Sequence, residues 1–218
     1  MSVFVAIEGI DGCGKSTLCA NLAAHYTKGA NFIRFPRREG PFSRAIYGHL
    51  TDPHKRLEPS SFALLAAADR KDGMYTEEFR AESKRLLVSD RYLHSGIAYA
   101  IAAGVSPDFA VAIEAEQTMP DLVIYIDLPV GEAQARIASR HRIQGEERVP
   151  IEDADYQTEV KQAFEYALES IPGVKVVCID GRLSTDEVFQ LARAEIEAVC
   201  ASIHGVSGAL QSLAVNLI

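Results

Sequence analysis

The chain of 218 residues contains no tryptophan, few cysteines and fewer basic than acidic side chains. Lysine and arginine number 22 against 30 aspartates and glutamates, which gives a net charge of −8. Surfaces that bind nucleic acids are usually basic, so this balance argues against a nucleic-acid partner. An acidic protein can still bind phosphate through a few local arginines, and the composition therefore favours a small phosphorylated ligand.

Membrane spans, signal peptides and metal motifs are also missing from the sequence. No apolar stretch approaches the ~20 residues that cross a membrane, and the N-terminus lacks the charged and apolar regions of a signal peptide. No C-x-x-C pair or histidine cluster indicates zinc or a redox motif among the four cysteines, Cys13, Cys19, Cys178 and Cys200. We therefore expect reduced thiols and a cytoplasmic protein without a membrane partner, a nuclear or organellar pool being compatible with the same features.

Short apolar runs alternate with longer amphipathic stretches along the chain. The apolar runs predict buried parallel strands at Ser2–Ile7, Asn31–Phe35, Leu86–Ser89, Leu122–Ile126 and Val174–Ile179. The amphipathic stretches predict helices at Lys15–Tyr26, Ser43–Leu50, Ser60–Arg70, Glu77–Lys84, Ser95–Ala103, Asp108–Gln117, Gly131–Arg140, Tyr156–Ser170 and Thr185–Ser202. This order predicts one α/β domain over residues 1–218, a three-layer sandwich with a five-stranded parallel sheet between helices.

Three segments depart from this alternation. Gly40–Pro59 is rich in proline, glycine and charge, and we expect it to cross over the sheet edge. Ser139–Asp155 is too polar for a core position and is a candidate lid. The apolar tail His204–Ile218 is compatible with an extra docked helix or with a partner surface, and the sequence leaves both open.

Residues 9–16 match the phosphate-binding pattern G-x-x-x-x-G-K-[ST], between the first predicted strand and the first predicted helix. Glycines allow backbone N–H groups to surround phosphate oxygens, the lysine adds a cation, and the helix adds its positive end. The pattern therefore predicts a P-loop NTPase-type fold and binding of a nucleoside triphosphate. The residues assigned to ATP are Gly9, Gly12, Cys13, Gly14, Lys15, Ser16 and Thr17.

An acidic residue at the end of the third predicted strand completes a candidate metal site. Ser16 offers a hydroxyl to Mg²⁺, and Asp90 follows the apolar run Leu86–Ser89, where an acid reaches the metal shell in P-loop proteins. Asp90 could instead, or in addition, cap the following helix. We therefore expect Mg²⁺ as cofactor, with Ser16 and Asp90 as its protein ligands.

Single arginines beside apolar segments indicate a phosphotransferase. They are Arg38, Arg70, Arg91, Arg136, Arg140, Arg142 and Arg148. Several arginines around one phosphate loop suit phosphoryl transfer, which depends on positioning and charge neutralisation. A GTPase would need an N-K-x-D segment, which the chain lacks.

Four segments together resemble the thymidylate kinase family, whose members phosphorylate dTMP with ATP. They are Ile7–Thr17, Phe35–Arg38, Asp90–Tyr99 and Pro120–Leu128, in matching order between about Val3 and Ile179. The resemblance implies that Asp11 holds the sugar 3′-hydroxyl. It also implies that Arg38 and Arg91 bind the dTMP phosphate and that Arg70 recognises the thymine edge.

The resemblance also implies that Ser95, Gly96 and Tyr99 form the wall around base and sugar, with Tyr99 as a gate against a ribose 2′-hydroxyl. The bland alternatives are a helix cap for Ser95 and a core aromatic for Tyr99. Family members are commonly homodimers, which implies the same here. The helices Ser43–Leu50, Ser95–Ala103 and Asp108–Gln117 are candidates for the interface.

Two positions depart from the family pattern. Gly12 stands where some members carry an arginine, so the catalytic charge would come from the lid region, with Arg140 and Arg148 joining Asp11, Lys15 and Arg91 as catalytic residues. Ala66 stands where an aromatic usually stacks on thymine, and Phe62 or Tyr99 would have to compensate. Because Ala66 lacks the aromatic ring, the alternative of a related nucleoside monophosphate kinase acting on dUMP or UMP stays open. A non-catalytic NTP-binding regulatory module is the alternative from another class.

Overall fold

A computed structural model describes residues 3–76, 86–144 and 153–204, except for the side chains of residues 141, 143, 144 and 204. Its sheet has five parallel strands in the order β2-β3-β1-β4-β5. The strands are β1 Val3–Glu8, β2 Ala30–Arg34, β3 Leu86–Asp90, β4 Leu122–Asp127 and β5 Lys175–Asp180. The predicted sheet is thus confirmed, each strand lying within about two residues of its predicted bounds.

Helices connect successive strands. They are α1 Lys15–His25, α2 Ser43–Thr51, α3 Pro59–Tyr75, α4 Leu93–Ala102, α5 Pro107–Ala112, α6 Val130–Gln144, α7 Ala154–Ser170 and α8 Thr185–His204, with a short 3₁₀ helix at Pro53–Lys55. The predicted helix Glu77–Lys84 and the tail beyond residue 204 lie outside the described residues. None of the helices in the described ranges is long and apolar enough to cross a membrane.

The predicted helix Asp108–Gln117 is wrong in its second half. Helix α5 ends at Ala112, and a turn follows it. The turn directs two buried polar side chains at α3: Glu114 pairs with Arg70, and Gln117 Nε2 donates to the carbonyl of Ala67 at 3.0 Å. Amphipathic periodicity could not reveal this, because the tertiary partners of Glu114 and Gln117 override local helix propensity.

The segment predicted as a lid is partly helical. Helix α6 continues four residues past Arg140 to Gln144, and α7 begins at Ala154. Asp153 caps α7, its carboxylate accepting a hydrogen bond from the backbone N–H of Asp155 at 3.0 Å. Residues 145–152, including the predicted catalytic Arg148, lie outside the described part of the chain.

The central strands are buried on both faces, which explains their unbroken apolar runs. All six residues of β1 and all five of β3 are buried, whereas the edge strands β2 and β5 are half-exposed. From β1 the chain builds β2 and β3 on one side and then crosses to β4 and β5 on the other. Ligands of such sheets bind at the carboxyl ends of the strands beside this switch point, and the β1–α1 loop lies there.

Candidate active site

The loop between β1 and α1 has the backbone that phosphate binding requires. Gly9, Gly12 and Gly14 have φ values of 140°, 80° and 114°, a region that other residues rarely adopt. Lys15 is buried, and its Nζ donates to the carbonyls of Gly9 at 2.9 Å and Ile10 at 2.7 Å. The ammonium group therefore already lies inside the loop, and α1 begins directly behind it.

Gly12 has no room for a side chain. A Cβ atom there would lie 2.6 Å from the carbonyl oxygen of Ala133 and 2.9 Å from Cγ1 of Ile137, both on α6. An arginine at this position is therefore excluded in this arrangement of loop and helix. The same helix supplies Arg136 and Arg140, which both line the cavity above the loop.

Arg136 has a contact role that the sequence did not reveal. Its Nη1 donates to the carbonyl of Cys13 at 3.3 Å, and its Nη2 donates to the carbonyl of Gly181 at 2.7 Å. The guanidinium thus connects the phosphate loop with the turn after β5. Its place as one of several arginines in the sequence gave no sign of these two backbone partners.

Ser16 and Asp90 meet as the magnesium hypothesis requires. The Ser16 hydroxyl donates to Oδ2 of Asp90 at 2.9 Å, and Nε of Arg34 lies 4.0 Å from the same oxygen. A hydroxyl and a carboxylate are hard oxygen ligands of the kind that Mg²⁺ takes together with substrate phosphates. No cluster of three or more His, Cys, Asp or Glu ligands occurs among the described residues.

Glu8, not Asp90, caps helix α4. Its Oε1 accepts from the backbone N–H groups of Tyr92 at 3.0 Å and Ser95 at 3.1 Å, and its Oε2 accepts from the Ser95 hydroxyl. The helix-cap alternative for Asp90 is therefore wrong, and Ser95 lies inside the helix rather than at its cap. Burial raises the pKa of Glu8, against the lowering effect of its hydrogen bonds to Ser95.

Arg91 joins the phosphate loop to the opposite wall of the cavity. It is the one non-glycine residue with positive φ, 69°, in the described chain. Its Nη1 donates to the Gly9 carbonyl and to the Ser95 hydroxyl, both at 3.1 Å. Its Nη2 donates to Asp11 Oδ1 at 2.5 Å and to the Tyr99 hydroxyl at 3.2 Å. The structure thereby brings together four residues that the sequence assigned to the acceptor.

Asp11 lies in a network that holds it ionised. Burial alone would raise its pKa, but the positive charges of Arg91 and Lys15 outweigh burial and lower the pKa below its ordinary value. The Tyr99 hydroxyl donates to Asp11 Oδ2 at 2.9 Å, so Tyr99 is more than a core aromatic. Burial also raises the pKa of Tyr99 well above its ordinary value, which keeps the phenol protonated and able to donate.

Gln157, near the start of α7, is a site residue that the sequence did not reveal. Its Oε1 accepts from the backbone N–H of Asp11 at 2.9 Å, and its Nε2 donates to Asp11 Oδ2 at 3.2 Å. The two residues are 146 positions apart in the chain. A single glutamine in an amphipathic helix carries no signal of such a distant partner.

The predicted base-reading arginine lies deep between α3 and α4. Arg70 is buried and forms an ion pair with the fully buried Glu114. Gly96 allows this pair to approach, because a Cβ there would overlap both the guanidinium and the carboxylate. Burial raises the pKa of Glu114, and the nearby Arg70 opposes that rise.

Arg38 is the predicted site residue that the structure leaves apart from the others. It is exposed and does not line the cavity, whereas its neighbour Arg37 is held by carboxylates of α3. The backbone N–H and the side-chain Nε of Arg37 each donate to the Asp69 carboxylate at 2.9 Å, and Nη2 donates to the Asp72 carboxylate at 2.6 Å. The role of Arg38 at the dTMP phosphate stays a prediction.

A single cavity of about 1140 Å³ connects the remaining groups. It is lined by most of the predicted site residues, namely Asp11, Gly12, Cys13, Gly14, Lys15, Ser16, Thr17, Arg70, Asp90, Arg91, Ser95, Gly96, Tyr99 and Arg140. The phosphate loop lines one end of the cavity, and the slot between α3 and α4 forms the other. Arg91 lies between them.

Known proteins resemble this chain along most of its length. The thymidylate kinase family model matches residues 7–192. The probable thymidylate kinase of Methanococcus maripaludis is 33% identical over 173 residues, covering 79% of this chain and 81% of that protein. That of Pyrobaculum calidifontis is 30% identical over 200 residues, covering 88% and 97%. The solved structure of thymidylate kinase from Candida albicans superposes with a TM-score of 0.74 at 25% identity, covering 90% and 92%.

Proposed function

The chain belongs to the thymidylate kinase family, and on that basis we propose that it transfers the γ-phosphate of ATP to dTMP, giving dTDP and ADP. The observation that carries the proposal is the position of Arg91. One guanidinium contacts the phosphate loop at Gly9, and the acceptor wall at Ser95 and Tyr99. A phosphotransferase needs such a second wall beside the phosphate loop, because it binds an acceptor as well as a donor.

The groups at the junction suit direct transfer between two phosphates. The attacking oxygen of a nucleoside monophosphate is already anionic, so no strong general base is needed. The main requirement is to position the two phosphates in line and to neutralise their charge. Lys15 and Arg91 supply fixed positive charge at the junction, where both donate to the carbonyl of Gly9. Arg140 and Arg148 are our candidates for charge delivered as the cavity closes.

We further propose that Mg²⁺ is held at Ser16 and Asp90, where a hydroxyl and a carboxylate oxygen lie 2.9 Å apart beside the phosphate loop. When bound there, the ion neutralises charge on the donor phosphates. Asp11 orients the acceptor sugar through its ionised carboxylate. Tyr99 fills the sugar edge from α4, and this disfavours a ribose 2′-hydroxyl.

The first test is dTDP formation by the purified chain with ATP, Mg²⁺ and dTMP. A coupled assay of the ADP produced monitors the reaction. We expect Lys15→Ala to lower kcat at least about 10²-fold, because it removes a charge that acts on the transferred group. Lys28→Ala, a change at an exposed lysine outside the cavity, is the matched control. Activity of Lys15→Ala within tenfold of the wild type would overturn the assignment.

The acceptor is tested with a panel of dTMP, dUMP and UMP. We expect the highest kcat/KM for dTMP, and a preference for UMP would contradict the role given to Tyr99. Absence of any acceptor turnover, with ATP binding intact, would favour the regulatory module instead. In the same assays Arg38→Ala should raise the KM for dTMP and leave ATP binding unchanged.

We also propose that the protein works as a cytoplasmic homodimer and binds neither nucleic acid nor membranes. Exposed apolar side chains on the described surface support an interface, among them Leu64 on α3 and Phe109 on α5. Helix α4 is a poor candidate, since most of its apolar residues are already buried within the chain. Light scattering on the purified protein measures the assembly directly, and a monomeric mass would contradict it.

A further inference from the structure

The part of the cavity between α3 and α4 is lined by several small side chains. Along one face of α3, Phe62, Ala66 and Arg70 follow at intervals of four residues and all line the cavity. From α4 and its end, Ala100 and Ala103 line the same cavity. The position midway along the α3 face, where an aromatic side chain would have filled the slot, therefore carries only a methyl group.

Phe62 is the aromatic residue of α3 nearest to this gap, and it is held in place from behind. The rings of His49 and Phe62 stack with centroids 3.8 Å apart and an interplanar angle of 13°. Nδ1 of His49 accepts a hydrogen bond from the backbone N–H of Leu57 at 2.9 Å, which fixes the histidine ring. One face of Phe62 is thus covered by a fixed partner, while the residue also lines the cavity.

Tyr99, the other aromatic candidate, is already engaged in contacts within the protein. Its hydroxyl binds Asp11 and Arg91, and its ring lies under the Arg91 guanidinium, with Cζ 5.0 Å from the ring centroid. Its ring also meets Tyr156 edge-on at 6.1 Å. Both its hydroxyl and its ring are therefore engaged in contacts within the protein.

We propose that Phe62, backed by His49, is the aromatic surface against which the acceptor base packs, in place of the missing aromatic at Ala66. This inference rests on the proposed function, because it concerns the acceptor of that reaction. Arg70 and Phe62 are eight residues apart, so their Cα atoms lie about 12 Å apart along the helix axis. A flat base lying over Ala66 could occupy the space between these two side chains, with its polar edge toward Arg70 and its ring toward Phe62.

The absence of tryptophan from the chain allows a direct optical test. In Phe62→Trp the introduced indole is the sole tryptophan, and packing against a base should change its fluorescence saturably as dTMP is added. Tyr75→Trp is the matched control, because this side chain is 70% exposed and lies on the same helix without lining the cavity. No change for Phe62→Trp, while calorimetry shows that dTMP binds, would overturn the proposal.

A second test uses affinity alone. Loss of a base–aromatic contact should raise the Kd for dTMP about fivefold to 150-fold in Phe62→Leu. The same change in the Ala66→Phe background should cost less, because the new ring would take over the contact. His49→Ala should produce a smaller rise in Kd than Phe62→Leu, since it acts only through Phe62.

These results separate the inference from the reaction itself. If Phe62→Leu binds dTMP within twofold of wild type in both backgrounds, the base packs elsewhere, even when dTDP is formed normally. If the wild type forms no dTDP, the proposed function fails. The fluorescence and calorimetric measurements still decide whether Phe62 contacts a bound nucleotide, because neither depends on turnover.

Discussion

His94 allows a prediction whose magnitude follows from its surroundings. It lies on α4 with no exposed surface, and neither ring nitrogen has a hydrogen-bond partner among the described residues. Burial lowers its pKa from 6.5 to about 4 in the folded protein. Because the neutral ring is the form that the fold accepts, the unfolded chain binds a proton more readily than the folded chain between these two values.

The sign and size of the effect follow from proton linkage. Well above pH 6.5, at about pH 8 and higher, both states are neutral at His94 and the residue adds no pH dependence. As pH falls through 6.5 the unfolded state is stabilised, and the loss levels off below about pH 4. With these pKa values the penalty is about 0.2 kcal/mol at pH 7 and about 2 kcal/mol at pH 5.

Replacing His94 by leucine removes this titration and keeps an apolar side chain of similar length. The difference in free energy of unfolding between His94→Leu and wild type should therefore be larger at pH 5 than at pH 7, by about 2 kcal/mol in favour of the variant. Urea unfolding followed by circular dichroism measures both proteins across this range. His54→Leu, at an exposed histidine, is the control. A difference between wild type and His94→Leu that stays constant from pH 7 to pH 5 would refute the reasoning.

Two further predictions concern the phosphate loop and its partner helices. Gly12→Ala should lower kcat/KM at least about tenfold and reduce stability by about 1–3 kcal/mol in thermal melts, because its Cβ would press on the Ala133 carbonyl at positive φ. Gly131→Ala, where a Cβ meets nothing within 4 Å, should do neither, and equal effects would contradict this account. Gln157→Leu leaves the Asp11 N–H unpaired, and we expect the KM for dTMP to rise about tenfold in steady-state kinetics. An unchanged KM would show that Gln157 does not position Asp11.

The sequence predicted what depends on local pattern and missed what depends on distant partners. The loop at Gly9–Ser16 is recognisable because glycines at fixed spacing are required by its backbone. The strands are recognisable because β1 and β3 are buried on both faces. Glu8 gave no such signal, since an acid after an apolar strand looks like a strand end. Only the fold shows that it caps α4 from the neighbouring strand.

The same contrast explains the two errors of detail. Asp90 was open as a helix cap because it precedes α4 in sequence, but the N–H groups of Tyr92 and Ser95 donate to Glu8 instead. The turn after Ala112 was invisible because its cause is a buried pair with Arg70 on another helix. Tertiary contacts determine both the cap of α4 and the turn after Ala112. Local propensity is a weak guide wherever such contacts compete with it.

The arrangement around Arg91 shows how its guanidinium is held in place before any ligand binds. Its backbone has φ of 69°, which is costly for a residue with a side chain. Four acceptors on the loop and on α4 hold the guanidinium at this point, and they offset that cost. A guanidinium fixed in this way loses little further rotational freedom when a phosphate arrives. Binding energy can then be used for aligning donor and acceptor instead of for ordering the arginine.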